Sequence, residues 1–341
     1  MIENIQLIQP SRDKGYGDNS RSGCYVPLGL VSIGTYLMHR FPEMRVEIFD
    51  GEMMSNDDII RSLRPGSVVG IDTKTPNYGS AIEIAEAAKY IGSVVVLGGV
   101  YASAIPEKIT KHRQNTVDHI VVGYGELPLA DIIEGRRDRV IVNGTPSFNE
   151  IPFPDRSAFL NLGNYVSNFQ KEHPSWQYRA TNIFTHVGCK YRCLFCERTR
   201  PQSGVYFRDP EQIWAETRLL VERHGINYLV DFSDTITQSP QFLRSLAVTK
   251  PDDINPTFHV FSTADGVDSE SVELFKRLNV GHVFVGVETG DEELAKTIYK
   301  GRKFSPELTL KSIKLLTENG IGVTPSFVLG MPGESTETLK R

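Results

Sequence analysis

Three of the four cysteines in the chain fall within one short stretch, HVGCKYRCLFC, as Cys189, Cys193 and Cys196 in the spacing C-x3-C-x2-C. Cubane iron–sulfur clusters and tetrahedral zinc usually take four protein ligands, so this loop is one ligand short. Two arrangements fit. Each thiolate can hold one iron of a [4Fe–4S] cube, leaving the fourth iron open to a small molecule, whereas an electron-storage cluster is normally held by four cysteines. Alternatively, His186 can join the three thiols around a structural zinc. Cys24 could in principle supply a fourth ligand, but its surroundings (SRSGCYV) offer no cluster chemistry and fit a buried or incidental thiol.

The bulk numbers limit what such a site can serve. A chain of 341 residues exceeds one ordinary core and suits two domains. A net charge of −5 provides no basic field for nucleic acid or an anionic membrane surface, so neither is an expected partner. No apolar run approaches the roughly 20 residues of a membrane span. The first residues, MIENIQLIQP, lack the basic-then-apolar pattern of a secretory signal. A cytoplasmic location is therefore expected, where cysteines serve metal or redox chemistry rather than disulfides.

The elements that must position the cysteines read as α/β. Short β-branched runs at Ile5–Ile8, Val46–Phe49, Val68–Ile71, Val94–Leu97 and His119–Val122 alternate with helical patterns near Leu28–His39, Asn56–Leu63, Tyr78–Tyr90, Ala104–His112 and Leu127–Glu134. Such alternation implies right-handed crossovers and a doubly wound, flavodoxin-like parallel sheet, with ligands outside the carboxyl ends of its strands. This predicts a first domain over 1–145. IPFPDRSAF breaks the pattern and opens a linker and bridging region over 146–180. Alternation resumes over 181–341, with strands at Asn182–His186, Tyr228–Asp231, Thr257–Phe261, His282–Val287 and Thr324–Leu329. Five βα units predict a partial barrel, and the final ESTETLKR reads as the start of another helix, so a barrel incomplete at its C-terminus is expected. The cysteines follow its first strand, and barrel active sites gather at the carboxyl ends of strands.

C-x3-C-x2-C with Phe195 before the last cysteine, after the first strand of such a barrel, resembles the radical S-adenosylmethionine (SAM) superfamily. The resemblance implies a [4Fe–4S] cluster on Cys189, Cys193 and Cys196 whose open iron chelates SAM, and reductive cleavage of SAM to methionine and a 5′-deoxyadenosyl radical. Later strand ends extend it. VDFSDT (Val230–Thr235), FSTAD (Phe261–Asp265), GVETG (Gly286–Gly290) and FVLGMPGES (Phe327–Ser335) resemble the family's SAM-binding stretches. They imply Asp231, Ser233, Asp234, Ser262 and Glu288 as SAM contacts, although the Gly-Gly-Glu form of the second-strand motif is absent.

The first domain adds YVPLGLVSIGTYL, VVGIDTKTPNY, VVVLGGVYASAIPE and VVGYGE, which resemble the N-terminal cobalamin-binding domain of B12-dependent radical SAM enzymes. Thr75, Gly98, Gly99, Tyr101, Ser103, Gly123, Gly125 and Glu126 are the implied cobalamin contacts, and the polar loop around Asp18–Tyr25 could touch cobalamin or substrate. No D-x-H-x-x-G stretch supplies a cobalt-binding histidine, and Tyr101 stands where many relatives have one. Methylthiotransferases of related architecture need three further cysteines ahead of the barrel, where this chain has only Cys24. The implied activity is methylation of an unactivated carbon on a small-molecule or peptide substrate, fed by a low-potential donor such as flavodoxin or ferredoxin. Cyclisation, isomerisation or oxidoreduction without methyl transfer is the second reading, and a non-catalytic cobalamin or redox sensor the third.

Overall fold

A computed structural model describes residues 3–15, 23–142, 151–196, 204–299 and 303–340. The chain divides into two compact units, Met1–Gln177 and Tyr178–Arg341.

The first unit is a six-stranded sheet of β1 (Asn4–Gln9), β2 (Arg45–Asp50), β3 (Val68–Asp72), β4 (Val94–Gly98), β5 (His119–Val122) and β6 (Val140–Val142), in the order β2-β1-β3-β4-β5-β6. Every pairing is parallel. The strand order reverses between β1 and β3, the crevice where such sheets bind ligands. The crossovers are α1 (Leu28–Arg40), α2 (Asn56–Arg61), α3 (Tyr78–Tyr90), α4 (Gly99–Ala104), α5 (Pro106–His112) and α6 (Glu126–Ile133). The helix expected over Ala104–His112 is α5, and a further short helix, α4, precedes it from Gly99; Pro106, which cannot donate to continue α4, opens α5. One core cluster joins Ile8, Val69, Ile71, Val95 and Leu97 of the strands to Ala81, Ile84, Ala85 and Ala88 along one face of α3.

The bridging region contains two helices the sequence leaves unassigned, α7 (Arg156–Phe159) and α8 (Leu162–Glu172). Both dock on the first unit. The Asp155 N–H donates to Thr35 Oγ1 at 2.9 Å, and the Tyr165 hydroxyl donates to Asp50 Oδ2 at 2.8 Å. Asp50 lies at the end of β2, and burial raises its carboxyl above the ordinary range.

The second unit is a five-stranded parallel sheet of β7 (Ala180–Ile183), β10 (Tyr228–Asp231), β11 (Thr257–Thr263), β12 (Val280–Glu288) and β13 (Gly322–Phe327), with each strand beside its predecessor. A short antiparallel ribbon, β8 (His186–Val187) with β9 (Tyr206–Phe207), branches off after β7. The crossovers are α9 (Pro210–His224), α10 (Pro240–Val248), α11 (Ser269–Leu278), α12 (Glu292–Ile298) and α13 (Pro306–Glu318), and α14 (Thr336–Leu339) follows β13. Asp209 caps α9 by accepting from the Glu211 N–H, and Gly225 stops it at φ +63°. Pro325 is tolerated in β13 because that strand is an edge of the described sheet. No helix among the described residues is long and apolar enough to cross a membrane.

Tyr165→Phe should destabilise the first unit by about 1–3 kcal/mol, because the buried Asp50 loses a donor. Urea unfolding checks this, and an unchanged midpoint would mean that the bond makes no net contribution.

Candidate functional site

The expected strand Asn182–His186 is interrupted, and the interruption launches the cysteine loop. The ladder between β7 and β10 ends at Ile183–Asp231. Beyond it, Thr185 N–H donates to Asp231 Oδ1 at 3.2 Å and to Ser233 Oγ at 2.9 Å, while His186 N–H donates to Ser233 Oγ at 3.0 Å. The Thr185 hydroxyl donates to Asp231 Oδ2 at 2.6 Å, and Ser233 Oγ donates to Asp231 Oδ1 at 2.6 Å. Side chains thus replace the ladder, and the freed backbone turns into β8. Burial raises the Asp231 carboxyl, against the lowering effect of these donors.

Gly188 follows at φ +86°, where a Cβ would lie 2.0 Å from the Gly204 carbonyl oxygen. Only glycine fits that approach. The cysteines come next, held by four neighbouring segments. Gln238, after β10, donates from Nε2 to the Gly188 carbonyl and accepts at Oε1 from the Lys190 N–H, both at 2.9 Å. Tyr191 donates its hydroxyl to Asp265 Oδ2, after β11, at 3.1 Å. The Leu194 N–H donates to the Ile298 carbonyl at the end of α12, at 2.9 Å. Cys193 is buried in a cluster with Tyr191, Leu294, Ile298, Tyr299 and Met331, and Cys189 and Cys196 pack against it. Met331 belongs to the GMPGE stretch after β13, so segments following β10, β11 and β13 and the end of α12 all reach this loop.

Burial pushes the Cys189 thiol up, and Asp234, Cys193 and Cys196 add to the rise by repulsion between like charges. These four groups therefore share one electrostatic environment, which a bound cation would relieve. Among the described residues, no three His, Cys, Asp or Glu side chains are gathered to hold one metal ion. His186 packs beside this loop, with Nδ1 at 3.1 Å from Thr185 Oγ1 and its ring 5.4 Å from Phe207 and 6.1 Å from Phe242. The chemistry of the donor set fits a multi-iron cluster, in which each thiolate takes a different metal.

The other barrel residues singled out in the sequence lie in different settings. Asp231 and Ser233 are enclosed by the Thr185 network, whereas the Asp234 charge acts on the Cys189 thiol. Ser262 Oγ is 2.8 Å from Thr237 Oγ1, next to Gln238. Glu288 has φ +65°, in the left-handed region, where β12 bulges against β13. A non-glycine residue there costs about 1–2 kcal/mol, and such strain clusters at functional sites. Sequence reasoning missed Thr185, Gln238 and Tyr299. It also missed His259 and His282, whose rings lie 4.7 Å apart on neighbouring strands. Burial lowers the His259 imidazole to about 4, with His282 contributing. Period-2 alternation of His259 and Phe261 with the buried Val260 is the signal that could have placed them on the face opposite the core.

In the first unit, the glycines divide. Gly98, ending β4, has open space where a Cβ would be. Gly99, at φ +86°, is required by protein instead: a Cβ would lie 2.2 Å from Asp72 Oδ1 and 2.7 Å from the Thr73 N. Gly125 admits Ile33, whose Cδ1 would be 2.7 Å from a Cβ. At Gly99 and Gly125 protein packing alone already disfavours a side chain. Gly123, at φ +102°, donates its N–H to Ser103 Oγ at 3.2 Å, and Tyr101 packs on Tyr78 at 4.4 Å. Thr75 is exposed in a single turn of 3-10 helix before α3. Glu126 is buried at the start of α6, where Oε1 accepts from Ser32 Oγ at 2.7 Å and Oε2 has no hydrogen-bond partner. Open space at Gly98 and an orphaned buried oxygen at Glu126 fit a large polar ligand over these strand ends. Residues 18–22 of the Asp18–Tyr25 loop lie outside the described residues.

Two family models match this chain: the radical SAM superfamily over residues 183–341 and the B12 binding domain over residues 18–133. The chain belongs to the B12-binding radical SAM superfamily. Its relatives in that superfamily include the anaerobic magnesium-protoporphyrin IX monomethyl ester cyclase of Rubrivivax gelatinosus, 24% identical over 84% of this chain and 55% of the cyclase. A Methanocaldococcus jannaschii protein, provisionally named a methylthiotransferase, is 26% identical over 94% of this chain and 72% of that protein. The structure of the radical SAM methyltransferase TsrM from Kitasatospora setae, with cobalamin and a [4Fe–4S] cluster bound, matches with a TM-score of 0.74 at 19% identity. That match covers 99% of this chain and 69% of TsrM, and it establishes the shared fold. This chain spans about half the length of the cyclase.

Burial holds Glu126 above the ordinary carboxylate range, so the folded chain binds this proton more tightly than the unfolded chain. Wild-type stability therefore falls as pH rises from about 4.3, the unfolded value, through the folded pKa. Glu126→Gln removes that fall. The stability of the variant relative to wild type should grow with pH across this window and then level off. Urea midpoints at a series of pH values check this, and a pH-independent difference would mean that the carboxylate is solvated in the folded chain.

Proposed function

We propose that this protein is a cobalamin-dependent radical SAM enzyme that methylates an unactivated carbon of a small-molecule or peptide substrate. The observation that carries the reading is one chain joining a B12-binding domain to a three-cysteine loop on which the ends of β10, β11 and β13 and the end of α12 converge. The groups involved, when bound, supply reductive cleavage of SAM and a transferable methyl group.

The chain's own residues then have distinct tasks. Cys189, Cys193 and Cys196 hold the cluster. Asp234, whose charge acts on Cys189, is the candidate acceptor for the methionyl ammonium of SAM. Asp231 and Ser233 shape the turn that presents the cysteines. Ser262 and Glu288 contribute polar contacts from the next two strand ends. Tyr191, Tyr299 and Met331 form a buried apolar wall around Cys193. In the first unit, Gly98 leaves room for cobalamin, while Ser103, Gly123 and Glu126 offer polar contacts to it. Tyr101 is held against Tyr78, and this turn carries no histidine that could serve as a cobalt ligand. Electrons come from a low-potential donor of the flavodoxin or ferredoxin class.

The cyclase supports a second reading, ring closure by the same radical chemistry without methyl transfer. Methylthiotransfer is disfavoured by ligand count, because four cysteines cannot hold a second three-cysteine cluster.

Cys193→Ala should remove most iron, sulfide and brown colour from anaerobically prepared protein, as read by iron and sulfide analysis. Retained iron would sink the cluster assignment. The chain supplied with cobalamin and freed of excess should retain close to one equivalent. With reductant, SAM and a methyl-accepting substrate, it should form 5′-deoxyadenosine and S-adenosylhomocysteine together. 5′-Deoxyadenosine without S-adenosylhomocysteine would favour ring closure, and neither product, with an intact cluster and cobalamin bound, would favour a sensor.

A further inference from the structure

The cluster loop carries a device that belongs to none of its ligands. Gln238 is 6% exposed and ends a single turn of 3-10 helix, Ile236–Gln238, after β10. Its carboxamide makes two hydrogen bonds of 2.9 Å to residues on either side of Cys189: Nε2 donates to the Gly188 carbonyl, and Oε1 accepts from the Lys190 N–H. This is the pattern of one rung of a β-ladder, supplied by a side chain. A third bond, from Lys190 Nζ to the Gln238 carbonyl at 3.0 Å, closes the contact and places the ammonium 5.2 Å from the centre of the Tyr191 ring.

The arrangement has a definite mechanical result. An amide that both donates and accepts fixes the separation and the orientation of the two peptide groups flanking Cys189. Gly188 is already confined by its approach to Gly204, so the Cys189 backbone is held from both sides. The 3-10 turn that carries Gln238 also includes Thr237, which bonds Ser262, and it starts two residues after Asp234. The clamp therefore ties the first cysteine to the loop that carries the candidate SAM contacts.

We propose that Gln238 is a positioning residue that sets the geometry of Cys189, and that through it the loop after β10 is coupled to the cluster. The proposal rests on the cluster reading for its functional meaning, but its geometry can be tested on the metal-free chain. Gln238→Ala removes both bonds. Gln238→Glu keeps acceptance from Lys190 and loses donation to Gly188.

The first measurement is alkylation of the reduced, metal-free protein by iodoacetamide, resolved by mass spectrometry at each cysteine. Cys189 should react roughly tenfold faster in Gln238→Ala than in wild type, as expected when two hydrogen bonds that hold a loop closed are lost. Gln238→Glu should fall between them. Cys193, buried by other contacts, serves as the internal reference and should change little. Circular dichroism identifies a variant that has failed to fold, and Gln238→Glu then carries the test. Equal Cys189 rates in the wild type and a folded variant would overturn the proposal.

The second measurement is the electron paramagnetic resonance spectrum of the reduced cluster, with and without SAM. Both variants should bind iron and sulfide but give a broadened signal that shifts less on adding SAM than wild type does. A variant spectrum and SAM shift identical to wild type would also overturn the proposal. A chain that binds no cluster in any form, yet shows the alkylation difference, would leave the clamp standing and remove the cluster reading.

Discussion

The second unit depends on one buried carboxylate. Asp231 ends its strand in the interior and accepts from the Thr185 and Ser233 backbones and from both of their hydroxyls. A buried carboxylate is costly unless fully hydrogen-bonded, and these donors come from the two places where the chain must leave the sheet. The network replaces backbone pairing at the moment β7 stops, and the chain can then turn into β8 without stranding its N–H groups. The cysteine loop, its glycine and its neighbours all follow from that exit.

The same logic runs through both units. Parallel strands point their carboxyl ends to one side, and crossovers send every return to the other, so functional loops collect where strands finish. In the first unit, that edge carries a polar row: Tyr165 to Asp50, Asp50 to Gln9, Gln9 to Lys74, and Lys74 to Asp72. In the second, the edge carries the cysteines and the segments that hold them.

Much of this was legible in the sequence, for identifiable reasons. Periodicity located α3 at Tyr78–Tyr90 to the residue, because its apolar face is a local pattern. The cysteine spacing was legible because three ligands on one loop are a local pattern. What escaped depends on distant partners. α7 is a single turn, too short to show a period, and α8, although Leu162, Tyr165, Val166 and Phe169 line one face of it, follows a proline-broken stretch; the two are held by Thr35 and Asp50, more than a hundred residues away. Gln238 looks like any loop amide until the fold brings it to Gly188 and Lys190. At Gly99 and Gly125 a Cβ would meet Asp72, Thr73 and Ile33, so protein packing alone favours glycine there. A glycine signals close approach without saying what approaches.

Glu288 joins two properties that usually reside in different residues. Its backbone sits at φ +65°, which glycine adopts freely and glutamate does not. Replacement by glycine would relax the bulge between β12 and β13 while deleting the carboxylate. Selection for thermal robustness alone would thus drift toward a sturdier chain with an emptied strand end. A library screened only for folding or yield would enrich such variants and mistake them for improvements.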